Sequence, residues 1–200
     1  MRKTKIICTL GPASDSDAVL ERLIQEGMDV ARFNFSHGTH EEQKKRLTKL
    51  RLLRERYGRP VATLLDTKGP EIRVRDFKDG AITLQKGDEF VLTGREVEGD
   101  EHIVTITYPE LVSDVKVGQR ILIDDGLIEM TVKELTDTDI ICDVNNGGKV
   151  SNHKGINVPG IHLSLPYISE VDKSDLLFGI EEDVDYVAAS FVRTAEDVQQ

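Results

Sequence analysis

Three polar stretches stand directly after apolar runs: Arg32-Phe33-Asn34-Phe35-Ser36-His37-Gly38, Asp66-Thr67-Lys68-Gly69-Pro70 and Ser190-Phe191-Val192-Arg193. Asn34, Ser36 and Asp66 offer an amide oxygen, a hydroxyl and a carboxylate, with no nitrogen or sulfur donor. That is the ligand set of a hard cation. The competing reading is local, with Asp66 capping a turn and Ser36 bonding backbone. Arg32 presents a forked guanidinium suited to phosphate or carboxylate, or to a structural salt bridge. His37 alone reads as a solvated turn residue. Arg73, just past Gly69-Pro70, is either a cation able to swing toward a ligand or a solvated one. Lys154 in His153-Lys154-Gly155 reads, without context, as a surface lysine.

These residues can act together only if the backbone gathers them. Lys5 to Leu10, Val30 to Phe35 and Val61 to Leu65 are short apolar runs that predict strands buried on both faces. Ser14 with Asp17 resembles a capping box, followed by an apolar stripe at Val19, Leu20, Leu23 and Ile24 and a stop at Gly27. His40 to Tyr57 is charged, with Leu47, Leu50 and Leu53 on one side, and predicts an exposed amphipathic helix. Strand, helix, strand, helix, strand opens an α/β fold with a parallel sheet, either doubly wound or a barrel. In both, ligands gather at the C-terminal strand ends, where the polar stretches lie.

After Asp66 the rhythm changes. From about Glu71 to His162 only short alternating runs occur, predicting an inserted all-β domain, a small barrel in preference to a flat sheet because closure removes exposed edges. Asp124-Asp125-Gly126 and Asn145-Asn146-Gly147-Gly148 both read as hairpin turns. The α/β pattern then returns. Ser169 and Asp172 cap a helix through Ile180, Tyr186 to Phe191 predicts a fourth buried strand, and Thr194 with Asp197 opens another helix. A helix so short and a four-stranded parallel sheet suggest the first part of a longer protein. The expected domains are 1–69, 70–165 and 166–200.

The 200 residues are 38% hydrophobic and 31% charged, with a formal net charge of -10, as in a globular chain. That balance disfavours broad attraction to nucleic acid or an anionic membrane, so an anionic ligand must meet locally clustered arginine and lysine. Cys8 and Cys142 lie far apart without metal-ligand spacing, which makes the cytoplasm the default compartment. Arg2, Lys3 and Lys5 give a positive N-terminus, but the apolar stretch after them is too short for a signal peptide. No P-loop signature occurs, so phosphate binding needs another construction.

Six stretches, Lys3–Ser14, Ala31–Gly38, Leu65–Arg73, Asp124–Ile128, Lys154–Gly160 and Ala189–Arg193, resemble, in order, the signature blocks of pyruvate kinases of bacterial type. The resemblance implies the first half of a TIM (β/α)8 barrel with a small all-β barrel lid inserted after the third strand. It implies phosphoryl transfer from phosphoenolpyruvate to ADP, giving pyruvate and ATP, with K+ and Mg2+ (or Mn2+) as cofactors. By that pattern Asn34, Ser36, Asp66 and Thr67 bind potassium, and Arg32 binds the substrate phosphoryl group. Asn34, Phe35, Ser36, His37, Arg73 and Lys154 meet the nucleotide; Arg32 and Arg73 are the catalytic cations. The magnesium ligands are expected beyond residue 200, which would leave this stretch inactive alone. The alternative is a non-catalytic nucleotide- or ion-binding fragment. A homotetramer in the cytoplasm, without nucleic-acid or membrane partners, is also implied. Phe33 and His153 depart from the residues often found at their positions, Leu or Met and Lys respectively.

Overall fold

The computed structural model describes residues 3–200, so Arg2 lies outside the described residues. The chain divides into two compact units, one formed by the chain up to Pro70 together with Pro166–Gln200, the other by Glu71–Leu165. Each has its own hydrophobic core.

The first unit begins with β1 (Ile7–Leu10), α1 (Asp17–Glu26), β2 (Val30–Asn34), α2 (His40–Tyr57) and β3 (Ala62–Asp66). Helix α1 is capped by Ser16, whose hydroxyl accepts from Val19 N, and ends on Gly27 at φ 105°. Ser14 does not cap it, contrary to expectation; its hydroxyl accepts from Gly11 N at 2.9 Å and closes a 3-10 turn over Pro12–Ser14. Helix α2 starts on a Thr39–Glu42 capping box, a reciprocal pairing of two otherwise orphaned amide donors.

The second unit contains β4 (Ile72–Arg73), β5 (Ala81–Leu84), β6 (Glu89–Thr93), β7 (Ile103–Thr105), α3 (Leu111–Asp114), β8 (Arg120–Ile123), β9 (Ile128–Leu135), β10 (Asp139–Asn146), β11 (Gly148–Ser151) and β12 (Gly155–Asn157). Seven strands form one sheet in the order β4-β12-β8-β9-β10-β6-β7, and β11 pairs with β5. The two ends of that order also meet. Val74 bridges Ile106, Arg75 N donates to Thr105 O at 2.8 Å, and Thr107 N donates to Arg73 O at 2.9 Å. Asp124 and Asp125, at φ 54° and 55°, turn between β8 and β9, and Gly126 follows them. Asn145–Gly148 is not a hairpin turn. Strand β10 runs through Asn146 and the chain passes on to β11, which pairs elsewhere. Glycine is needed at position 147 because a Cβ there would stand 2.3 Å from Leu84 O. The single-turn α3, which buries Leu111, interrupts what the sequence suggests is purely strand.

The chain returns to the first unit as α4 (Glu170–Glu181), β13 (Tyr186–Ala188) and α5 (Ala195–Gln199). Its sheet is parallel throughout, ordered β1-β2-β3-β13. The strands are not buried on both faces. Ala31, Phe33, Thr63 and Leu65 are buried, and the apolar ones pack with Leu20, Ile24, Leu47, Leu50 and Phe178 of the helices. The alternate residues, including Arg32, Asn34, Leu64 and Asp66, are only half-buried. Strand β13 is shorter than expected: Phe191 lies beyond it in a left-handed conformation at φ 60°. Among the described residues no helix is long and apolar enough to cross a membrane.

Candidate functional site

Period two in a strand sends residues i and i+2 to one face, so Arg32 and Asn34 share the half-buried face of β2. Register sets their neighbours. Arg32 stands between Thr9 and Leu64, and Asn34 is the partner of Asp66, which is in turn the partner of Ala188. The C-terminal ends of β2, β3 and β13 therefore lie side by side, with three polar stretches leading out of them.

Asp66 is the centre of a network. Arg32 donates through Nε to Asp66 Oδ2 at 2.7 Å and through a terminal guanidinium nitrogen to the same oxygen, while its other terminal nitrogen donates to Thr9 Oγ1 at 2.7 Å. The Ser190 hydroxyl donates to Asp66 Oδ1 at 2.9 Å. The side chain of Asp66 is 14% exposed and that of Arg32 is 32% exposed, so the pair is partly withdrawn from water and its Coulombic attraction is less screened than on an open surface. A fork held at three points is fixed in direction.

The loops that leave the strands are held by backbone. Phe35 N donates to Asp66 O at 3.0 Å, and Ser36 N donates to Asn34 Oδ1 at 2.9 Å, leaving the Ser36 hydroxyl for another partner. Buried Gln43, on the first turns of α2, donates through Nε2 to Asn34 O and His37 O at 3.2 and 3.1 Å. Thr67 N donates to Ala188 O at 3.1 Å, and Ser190 N donates to Thr67 Oγ1 at 3.1 Å. Gly69 is packed so tightly that a Cβ would stand 2.8 Å from Ser190 O, and its φ of 66° also favours glycine.

Asn34, Ser36, Asp66 and Thr67, the oxygen donors expected from the sequence, take part in these contacts. Asn34 and Asp66 are register partners on one face, and both bring oxygen. Asp66 Oδ2 is engaged by Arg32 and Oδ1 by the Ser190 hydroxyl, and Asn34 Oδ1 accepts from Ser36 N, so each of these oxygens already has a partner. The Thr67 carbonyl follows directly in the chain. A carboxylate, an amide oxygen, a hydroxyl and a carbonyl are the donor types that a hard cation takes. Among the described residues no group of three or more His, Cys, Asp or Glu is arranged to hold a metal ion.

Arg73 and Lys154 belong to the second unit. Arg73 pairs across β4–β12 with Gly155, next to Lys154. It donates to His153 O at 2.5 Å and forms an ion pair with Glu71 at 2.7 Å. Lys154 is 2.9 Å from Asp124 Oδ1 and 35% exposed, so it is paired and not the free surface lysine that its local sequence suggests. Thr9 and Gln43 join the network without any signal in the sequence. Ser190 falls in the Ala189–Arg193 stretch, but nothing in the spacing links it to Asp66, 124 positions earlier.

A family model described as pyruvate kinase, barrel domain, matches residues 1–200. The chain is 52% identical over 200 residues to the pyruvate kinases of Staphylococcus haemolyticus (strain JCSC1435) and Staphylococcus aureus (strain USA300). Those alignments cover 99% of this chain and 34% of each relative. It thus spans about a third of the length of the curated relatives it matches. With the family model matched from end to end over an α/β fold, the chain belongs to the pyruvate kinase family, within its barrel domain.

Proposed function

We propose that this chain is the N-terminal part of a pyruvate kinase that transfers a phosphoryl group from phosphoenolpyruvate to ADP, giving pyruvate and ATP. The observation that carries this reading is the Arg32–Asp66 pair on neighbouring strands, held by Thr9 on the Arg32 side and by Ser190 on the Asp66 side. Phosphoryl transfer needs little covalent help and depends on positioning and charge neutralisation, which a fixed guanidinium supplies. Arg32 binds the substrate phosphoryl group, and Asn34, Ser36, Asp66 and the Thr67 carbonyl enclose potassium beside it. When bound, potassium and magnesium (or manganese) neutralise charge that accumulates on the transferring oxygens. Phe35 and His37 border the nucleotide with Asn34 and Ser36. Arg73 and Lys154 reach it from residues 70–165, which form a lid that excludes water on closing. Residues 1–69 and 166–200 are the first half of a TIM barrel. The parent protein is a cytoplasmic homotetramer, and the magnesium ligands lie beyond Gln200.

The test compares the full-length protein with residues 1–200 in a coupled assay for pyruvate with phosphoenolpyruvate, ADP, magnesium and potassium. Turnover is expected from the full-length protein only. Metal-dependent pyruvate formation by the 200-residue piece would show that no later ligand is needed; no turnover from the full-length protein would end the reading.

A further inference from the structure

Helix α4 buries two carboxylates on one face. Asp172 and Asp175 stand three residues apart, followed on that face by Phe178 and Gly179, all buried. Buried acids are a poor way to stabilise a helix against a sheet, since apolar residues of similar size pack there without desolvating charge. Their partners give the reason for them.

Asp172 accepts from Gly69 N through Oδ1 at 2.9 Å, and from the Ser169 N–H and hydroxyl through Oδ2. It joins the capping box of α4 to the loop that continues from Asp66 and Thr67. Asp175 lies 2.6 Å from His40 Nε2 through Oδ1, and its side chain is 7% exposed. Its Oδ2 is buried without a partner among the described residues. His40 is the first residue of α2, directly after the segment Asn34–Thr39. Its ring stacks on Phe178 at 4.6 Å between centroids, and Phe35 packs against both rings at 6.0 and 5.7 Å. Gly179 lets the helix approach closely, because a Cβ there would stand 2.7 Å from Leu65 Cδ1 on β3. One helix face, seated tightly on the strand that ends in Asp66, therefore holds the loop after β2 through Asp175 and the loop after β3 through Asp172.

We propose that Asp172 and Asp175 are positioning residues: α4 sets the spacing between the Asn34–Thr39 loop and the Asp66–Gly69 loop, each acid acting on its own loop. This deepens the function proposed above and rests on it. The nucleotide side of the site depends on Asp175, acting through His40 and Phe35, and the potassium side depends on Asp172.

The experiment uses the full-length protein and crossed readouts. Asp175→Ala should raise KM for ADP roughly tenfold while leaving the potassium concentration for half-activation within about twofold, a size expected from slight misplacement of binding groups. Asp172→Ala should do the reverse. Asp175→Asn, which keeps an oxygen acceptor for His40, should restore most of the ADP affinity; should the alanine variants fold poorly, His40→Ala and Asp172→Ser, which break the same two contacts, carry the tests. A purely structural role would lower the melting temperature with both constants unchanged, or move both constants together in either variant, and each of those results overturns the proposal. If the wild-type protein shows no turnover, the function proposal fails by itself. Thermal shifts induced by ADP and by KCl in the same variants then decide the placement, and equal shifts in all of them reject it.

Discussion

At the scale of single residues, Arg32 does two things. It anchors Asp66 through two nitrogens and reaches Thr9 with the third, so of the two readings left open by its sequence position the structure shows the salt bridge, and the phosphate-binding role belongs to the proposal. Replacing it removes a cation and frees Asp66 together. Arg32→Ala in the full-length protein should lower kcat by roughly 10²–10³, about 3–4 kcal/mol of transition-state stabilisation. Steady-state kinetics with phosphoenolpyruvate check this, and near-normal turnover would remove Arg32 from the chemistry. The positions of Asn34 and Asp66 at strand ends were legible in the sequence from the apolar runs they close, whereas Arg32 stands in mid-strand opposite Leu64 and reaches Asp66 only through its long side chain. The partners of these residues were not legible. Ser190 lies 124 positions from Asp66, and Asp175 lies 135 from His40, and pairings so distant leave no local pattern.

At the scale of elements, the parallel strands and α2 could be read from apolar runs and caps, and the Ser169–Asp172 and Thr194–Asp197 starts match observed capping boxes. The failures have a common cause, since short segments take their conformation from neighbours that the local sequence does not reveal. Ser14 closes its own turn two residues before the true cap, and Asn145–Gly148 carries turn residues yet continues from strand to strand. Strands β4 and β12 have two and three residues, too few for alternation to show. The passage at Gly147 gives a clean test. Gly147→Ala drives a methyl group into Leu84 O and should destabilise by roughly 1–3 kcal/mol through overpacking. Gly155→Ala, whose Cβ would meet nothing nearer than 3.8 Å, should change stability much less. Thermal denaturation of the two variants decides, and equal midpoints would mean that the β10–β11 passage relaxes freely.

At the scale of the whole molecule, a net charge of -10 coexists with carboxylates that folding holds ionised. The hydrogen bond from Arg46 keeps Asp15 below the usual carboxylate range, and that from Lys44, with help from Arg51, does the same for Glu182. Burial pushes Asp114 up, but bonds from Ser164 and Tyr108 outweigh it and leave it lowered. A group whose folded pKa is depressed stabilises the fold above its unfolded value and loses that contribution as pH falls through the folded one. Urea midpoints should therefore stay nearly level from neutrality to about pH 5 and fall steeply below about pH 4, near the unfolded carboxylate range. A midpoint that rises on acidification would contradict the sign. Both units contribute, since Asp114 lies in the second and Asp15 and Glu182 in the first.

The meeting of the outer strands around Val74 and Ile106 bears on how the chain could be engineered. A ladder that satisfies its own margins offers little template for stray β-pairing, and residues 71–165 also enclose an apolar interior of their own. They form a cassette with a single entry and a single exit. Such a piece can be exchanged as a block between relatives, with the graft joined at Pro70 and Pro166, without recutting any sheet.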